Sequence, residues 1–134
     1  MITGSCHCGA VKYEVPGALL RFLNCHCDDC RKLSGSPFAS YVAAASEGFR
    51  VVSGEDRIEA YASSPGKRRC FCRTCGTHLF AWADNRPGMV ILKAGTLDGD
   101  PGLRPDVHVW TSAKAPWHEI CDHLPQLPKG FPQQ

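Results

Sequence analysis

Long apolar runs are missing from this chain. The longest candidates, around Phe38 to Ala45 and Met89 to Leu92, fall well short of the roughly 20 residues that a membrane-spanning helix needs, so no membrane partner is expected. A basic, then apolar, then small-residue leader is also missing from Met1-Ile2-Thr3-Gly4-Ser5-Cys6, and the expected location is the cytoplasm. Excess charge of either sign is absent: fifteen Lys plus Arg face thirteen Asp plus Glu, a balance of +2. That is too little for a dedicated duplex-DNA binder, which leaves nucleic acid a secondary alternative.

What is abundant is cysteine. Nine cysteines in 134 residues cannot all pair, and in a reducing compartment clustered thiols bind metal or react. With 43% hydrophobic and 21% charged residues, the chain has enough apolar material for one domain with a core. Alternation recurs in Val11 to Val15, Arg57 to Tyr61 and Val107 to Trp110, and further short strands are expected at Leu19 to Leu23, Phe38 to Val42, Phe49 to Val52, His78 to Trp82 and Met89 to Lys93. Gly and Pro punctuate nearly every gap, so the expected fold is all-β or β-rich. One short helix is expected from Asp28 or Asp29 towards Leu33, with an acid near its positive end. Residues 1–123 read as the domain and residues 124–134 as a loose Pro/Gln-rich C-terminal arm.

Eight cysteines form three groups: Cys6 and Cys8; Cys25, Cys27 and Cys30; Cys70, Cys72 and Cys75. Cys72-Arg73-Thr74-Cys75-Gly76 spells a tight knuckle that brings two sulfurs to one tetrahedral zinc. Cys6 and Cys8, two apart on an extended strand, would present a second pair on one side. Together the two pairs close a site of four thiolates. The central group offers three sulfurs within six residues, and three protein ligands leave one tetrahedral position for water or substrate. Spacing also admits a second structural site completed by Cys70, or one ribbon site joining Cys27 and Cys30 to Cys72 and Cys75. The 41 residues between Cys30 and Cys72 are long for such a ribbon.

Other motifs fail. Haem attachment needs His after Cys-x-x-Cys, but Arg31 and Gly76 stand there. His118-Glu119 lacks a second His on the same helical face, since the next is His123. These two histidines read as surface or packing residues, and Trp82, Trp110 and Trp117 as core or rim packing. Seven thiolates and two zinc ions would move the formal balance from +2 to about −1, so cations are expected nearby. Arg31, Lys32, Lys67, Arg68, Arg69 and Arg73 either offset those thiolates or bind substrate carboxylates.

Ser5-Cys6-His7-Cys8-Gly9-Ala10-Val11, Asn24-Cys25-His26-Cys27-Asp28-Asp29-Cys30-Arg31, Phe71-Cys72-Arg73-Thr74-Cys75-Gly76-Thr77, and Pro105-Asp106-Val107-His108-Val109-Trp110 with Trp117 together resemble the glutathione-dependent formaldehyde-activating enzyme family, the CENP-V/GFA domain. The resemblance implies an Mss4-like zinc-bound fold of several short antiparallel sheets with one or two short helices. It implies a structural zinc on Cys6, Cys8, Cys72 and Cys75, and a second zinc on Cys25, Cys27 and Cys30, whose cysteines serve a catalytic site as ligands. The implied activity is a carbon-sulfur lyase reaction of the S-(hydroxymethyl)glutathione synthase type, with glutathione as the small thiol and formaldehyde as its partner. His26, Asp28 or Asp29 are candidates to move the proton. The alternative is a non-catalytic zinc module that binds protein or nucleic acid. Cys70 and Cys121 receive no role, Cys70 being the closer stand-in ligand.

Overall fold

The computed structural model describes residues 1–132. Its strands are β1 (Ile2–Ser5), β2 (Lys12–Val15), β3 (Leu19–Cys25), β4 (Ala39–Ala45), β5 (Arg50–Ser53), β6 (Ile58–Ser64), β7 (Lys67–Cys72), β8 (His78–Ala83), β9 (Met89–Lys93) and β10 (His108–Val109). The helix α1 (Asp28–Ser34) follows β3, where the sequence places it. The β-rich expectation holds. The strands gather into two sheets, in the orders β1-β2-β5 and β10-β3-β4-β9-β8-β7-β6. Every pair is antiparallel except β10 with β3, which is parallel. β7 escapes the sequence analysis because the run Lys67-Arg68-Arg69 hides its alternation behind charge.

Alternation along the large sheet decides what each face does. Val42, Ala44, Val90, Leu92, Phe80, Cys70 and Cys72 point one way and pack with Val11, Tyr13 and Val15 of the small sheet's strands and turn. The Tyr13 ring meets Phe80 edge-on at 5.6 Å, and its hydroxyl lies 2.6 Å from the Thr96 hydroxyl. Leu23, Cys25, Tyr41, Ala43, Ala81, Arg69, Ile91 and Lys93 point the other way, where no second sheet covers them; they floor a groove of about 1170 Å³.

A second, smaller core of Leu23, Cys25, Cys30, Ala39, Val107 and Val109 sits at the β10 end. The C-terminal segment, expected as a loose arm, docks there instead. Leu127 N–H donates to His108 O at 2.8 Å, His108 N–H to Pro125 O at 2.9 Å and Trp110 N–H to Lys129 O at 3.2 Å. Leu127 and Phe131 pack on the small core, and the Arg21 guanidinium lies 4.3 Å over the Phe131 ring. The segment is ordered because β10 leaves a sheet edge whose backbone groups need partners. Gln133 and Gln134, the end of that arm, lie outside the described residues.

Gly54 precedes the 3₁₀ turn Glu55–Arg57 with φ 76°, and a Cβ there would stand 2.1 Å from the Ala10 carbonyl oxygen. Both the left-handed backbone and the backbone contact exclude a side chain. Gly54→Ala is expected to cost about 3 kcal/mol in urea unfolding, combining strain with overpacking; a loss under about 1 kcal/mol would show that the turn yields freely.

Candidate metal centres

Two groups of cysteine sulfurs lie within 4.8 Å of one another: Cys6, Cys8, Cys72 and Cys75, and separately Cys25, Cys27 and Cys30. All nine thiols are free. The first group is built by two matched turns. Cys6 and Cys8 do not sit on an extended strand as expected; they lie in the turn after β1, closed by Gly9 N–H to Cys6 O at 3.0 Å with Gly9 at φ 80°. The turn after β7 is one residue longer and closes with Gly76 N–H to Cys72 O at 2.7 Å, Gly76 again being left-handed at φ 79°. In both, a left-handed glycine directly after the second cysteine folds the chain back so that two sulfurs converge. That turn was legible at Cys75-Gly76, and Cys8-Gly9 carries the same sign.

Sulfurs around a tetrahedral zinc with Zn–S bonds near 2.3 Å stand about 3.8 Å apart. Cys6 Sγ and Cys8 Sγ are 3.5 Å apart, and Cys8 Sγ and Cys72 Sγ 3.9 Å. Val11 N–H donates to Cys6 Sγ at 3.3 Å, and a hydrogen bond with Thr77 Oγ1 at 3.2 Å, followed by backbone N–H groups of Cys8 and Thr77, pulls the Cys75 thiol down to about 5. The donor set and spacing fit zinc. Because one pair belongs to the β1–β2 turn and the other to the β7–β8 turn, the group ties the small sheet to the large one.

The second group is assembled where β3 runs into α1. Cys25 ends the strand, Cys27 is the residue that caps the helix, accepting from Cys30 N–H at 3.4 Å, and Cys30 lies in the first turn. The three thiols share hydrogen bonds unequally: those from Cys25 and Cys27, helped by Lys93 and Arg69, pull the Cys30 thiol far below its usual range. Hydrogen bonds with Cys27 and Cys30, followed by burial, push the Cys25 thiol up. Three sulfurs gathered within 4.8 Å of one another form a soft donor set suited to a soft cation. All three sulfur-bearing residues line the groove; none of the first four does.

The ribbon arrangement is not formed, since Cys72 and Cys75 gather with Cys6 and Cys8. Cys70 is buried on the core face of β7, outside both groups, and burial raises its thiol. Cys121 is exposed. Of the expected cations, Lys67 and Arg69 line the groove, Arg31 pairs with Asp28 at 2.6 Å and Arg68 with Asp84 at 3.2 Å. Arg69 is only 4% exposed, with Nε donating to Ser63 Oγ at 2.9 Å and a longer approach of 3.9 Å to Asp29. His26 does not line the groove; its ring is buried against His108 and Phe38.

Lys93 and Tyr41 were missed. They are register partners on β9 and β4, the ammonium lies 5.9 Å from the Tyr41 ring centre, and both line the groove beside the three sulfurs. Nothing in Met89-Val-Ile-Leu-Lys93 marks Lys93, because its neighbours come from other strands. Trp110, with φ 58°, lines the groove, whereas Trp82 packs edge-on against Phe49 at 5.4 Å as expected. Trp117, expected to pack, is 70% exposed. His118 is half-buried against Phe38, with ring centres 5.7 Å apart. Among the described residues, no helix is long and apolar enough to cross a membrane.

Comparison with known proteins agrees with this architecture. The profile of the family described as "Glutathione-dependent formaldehyde-activating enzyme" matches residues 1–113. A Halomonas elongata protein named "Putative glutathione-dependent formaldehyde-activating enzyme" is 31% identical, over 90% of this chain and 81% of its own length. An uncharacterized lyase of Schizosaccharomyces pombe is 26% identical, over 89% of this chain and 85% of its own. The crystal structure of a Rhodobacter sphaeroides protein superposes with a TM-score of 0.62 at 30% identity, covering 75% of this chain and 92% of that one. By its sequence across residues 1–113, the chain belongs to the glutathione-dependent formaldehyde-activating enzyme family.

Proposed function

We propose that the protein is a zinc-dependent carbon-sulfur lyase that joins a small anionic thiol, glutathione, to formaldehyde and reverses that step, in the reducing cytoplasm. The observation that carries this reading is that one thiol group opens into the groove while the other does not. Cys6, Cys8, Cys72 and Cys75 would hold a structural zinc, and Cys25, Cys27 and Cys30 a second zinc with one position left for substrate sulfur. That ion, when bound, supplies the charge that keeps a substrate thiol deprotonated near neutral pH.

The chain's own residues do the rest. The buried Arg69 and the half-buried Lys93 line the groove with the sulfurs, as do Lys67 and Arg86. These four cations, with Arg21 a fifth in the lining, over a floor of Ala43, Ala81 and Ala83 suit a ligand with carboxylates at its ends and little bulk between them. In the forward direction the substrate sulfur bonds to the aldehyde carbon, the carbonyl π pair moves to oxygen, and the proton lost by the thiol ends on that oxygen. The Lys93 ammonium is placed to donate a hydrogen bond to the oxygen as its charge develops. In reverse the C–S bond breaks and the electron pair returns to sulfur. His26 faces elsewhere, and neither Asp28, which pairs with Arg31, nor Asp29 lines the groove, so the proton is assigned to no side chain of this segment.

Exchange of formaldehyde with glutathione, followed by NMR at equilibrium, is the direct test. The zinc-loaded protein is expected to accelerate exchange at least tenfold over buffer, and the chelated protein not at all. Equal rates in all three would overturn the reading.

A further inference from the structure

A buried chain of hydrogen bonds leads away from the second sulfur group. His26 Nε2 lies 2.8 Å from His108 Nδ1, and His108 Nε2 lies 2.9 Å from Asp122 Oδ2. The two rings are 0% and 1% exposed. Asp122 lies beyond the residues matched by the family profile, and its other oxygen accepts Leu124 N–H at 3.0 Å.

The chemistry of the three groups gives this chain a direction. A carboxylate only accepts, so the proton between Asp122 and His108 sits on His108 Nε2. With one proton on each ring, that proton leaves His108 Nδ1 as an acceptor and sets His26 Nε2 as the donor to it. What remains is a lone pair at His26 Nδ1, which is buried without a partner. The other buried side-chain polar atom without a partner among the described residues is Arg31 Nε, a donor, on α1 next to Cys30. The backbone is pinned on both sides of the ring as well: Asn24 N–H donates to Val107 O and His26 N–H to Val109 O, both at 3.0 Å.

We propose that Asp122 is a positioning residue for the three-sulfur centre: through His108 it fixes the His26 proton on Nε2, and this one-way chain holds the Cys25-His26-Cys27 segment so that its two sulfurs meet Cys30. Ligand-bearing segments need such outer partners, because a ring or turn free to reorient spreads the sulfurs over several geometries. The C-terminal segment thereby completes a centre built from residues almost a hundred positions earlier.

The test uses the full chain and two variants at an exposed carboxylate. Asp122→Asn keeps the shape, but an amide both donates and accepts, so the direction of the chain is lost. Ring nitrogen NMR is expected to show His26 protonated on Nε2 alone in the parent and as a mixture of tautomers in the Asn variant. Cobalt(II), titrated against a chelator, is expected to bind the three-sulfur centre about tenfold more weakly in that variant, with the four-sulfur centre unchanged. Asp122→Glu, which keeps the carboxylate, should restore most of both. An unchanged tautomer, a changed tautomer with cobalt affinity unaltered within twofold, or equal losses in the Asn and Glu variants would each overturn the proposal. It rests on the second group being a metal centre, and cobalt binding by the parent protein tests that separately.

Discussion

Exchange of Cys27 for Ser is expected to abolish formaldehyde–glutathione exchange, a loss of at least a hundredfold, while the protein stays folded. A serine hydroxyl is a poor ligand for a soft cation where a thiolate is a good one, so the second centre loses a third of its donors. The fold should tolerate the change because Cys27 caps α1 by accepting Cys30 N–H, and serine is among the preferred residues at a helix N-terminus. Metal analysis should fall from two zinc ions per chain to one, with an unaltered circular dichroism spectrum. Full turnover in the variant, or two ions retained, would show that the groove cysteines are not the working ligands.

Cys75→Ser should have the opposite signature. The four-sulfur group joins the β1–β2 turn to the β7–β8 turn, and with them the two sheets that share the main core. Zinc binding at structural sites contributes roughly 10 to 16 kcal/mol in small peptides, against a typical net domain stability of about 5 to 15 kcal/mol. Losing one of four thiolates is therefore expected to unfold at least the N-terminal sheet at 25 °C, visible as loss of protection in hydrogen exchange over β1, β2 and β5. Graded chelation should tell the same story, removing the groove ion first without unfolding and the second only together with structure. If the two cysteine variants behave alike, the division into a bracing centre and a working centre is wrong.

The short strands, the helix after Cys27 and the cysteine grouping were legible because each rests on local chemistry. Two-residue alternation marks a strand, an acid near a helix start favours its dipole, and Cys-x-x-Cys-Gly folds into a knuckle whatever surrounds it. The sulfurs of Cys6 and Cys8 gather with those of Cys72 and Cys75, but from a turn in place of the expected strand, because Gly9 takes a left-handed backbone that strand periodicity does not reveal. The docked tail was illegible for another reason. Pro125, Gln126 and Pro128 look like a linker, and their order comes from the open edge of β10, which no local pattern announces.

By itself, then, the sequence determined that eight thiols fall into groups of metal-ligand spacing on a β-rich chain, since spacing along a backbone of fixed geometry limits which sulfurs can meet. Tertiary structure alone decided which group faces a groove, that Lys93, Tyr41 and Arg69 stand beside it, and that Asp122 reaches His26 through His108. Those placements depend on strand order and on which sheet face is left uncovered, quantities set by the packing of distant segments and carried by no single stretch of residues.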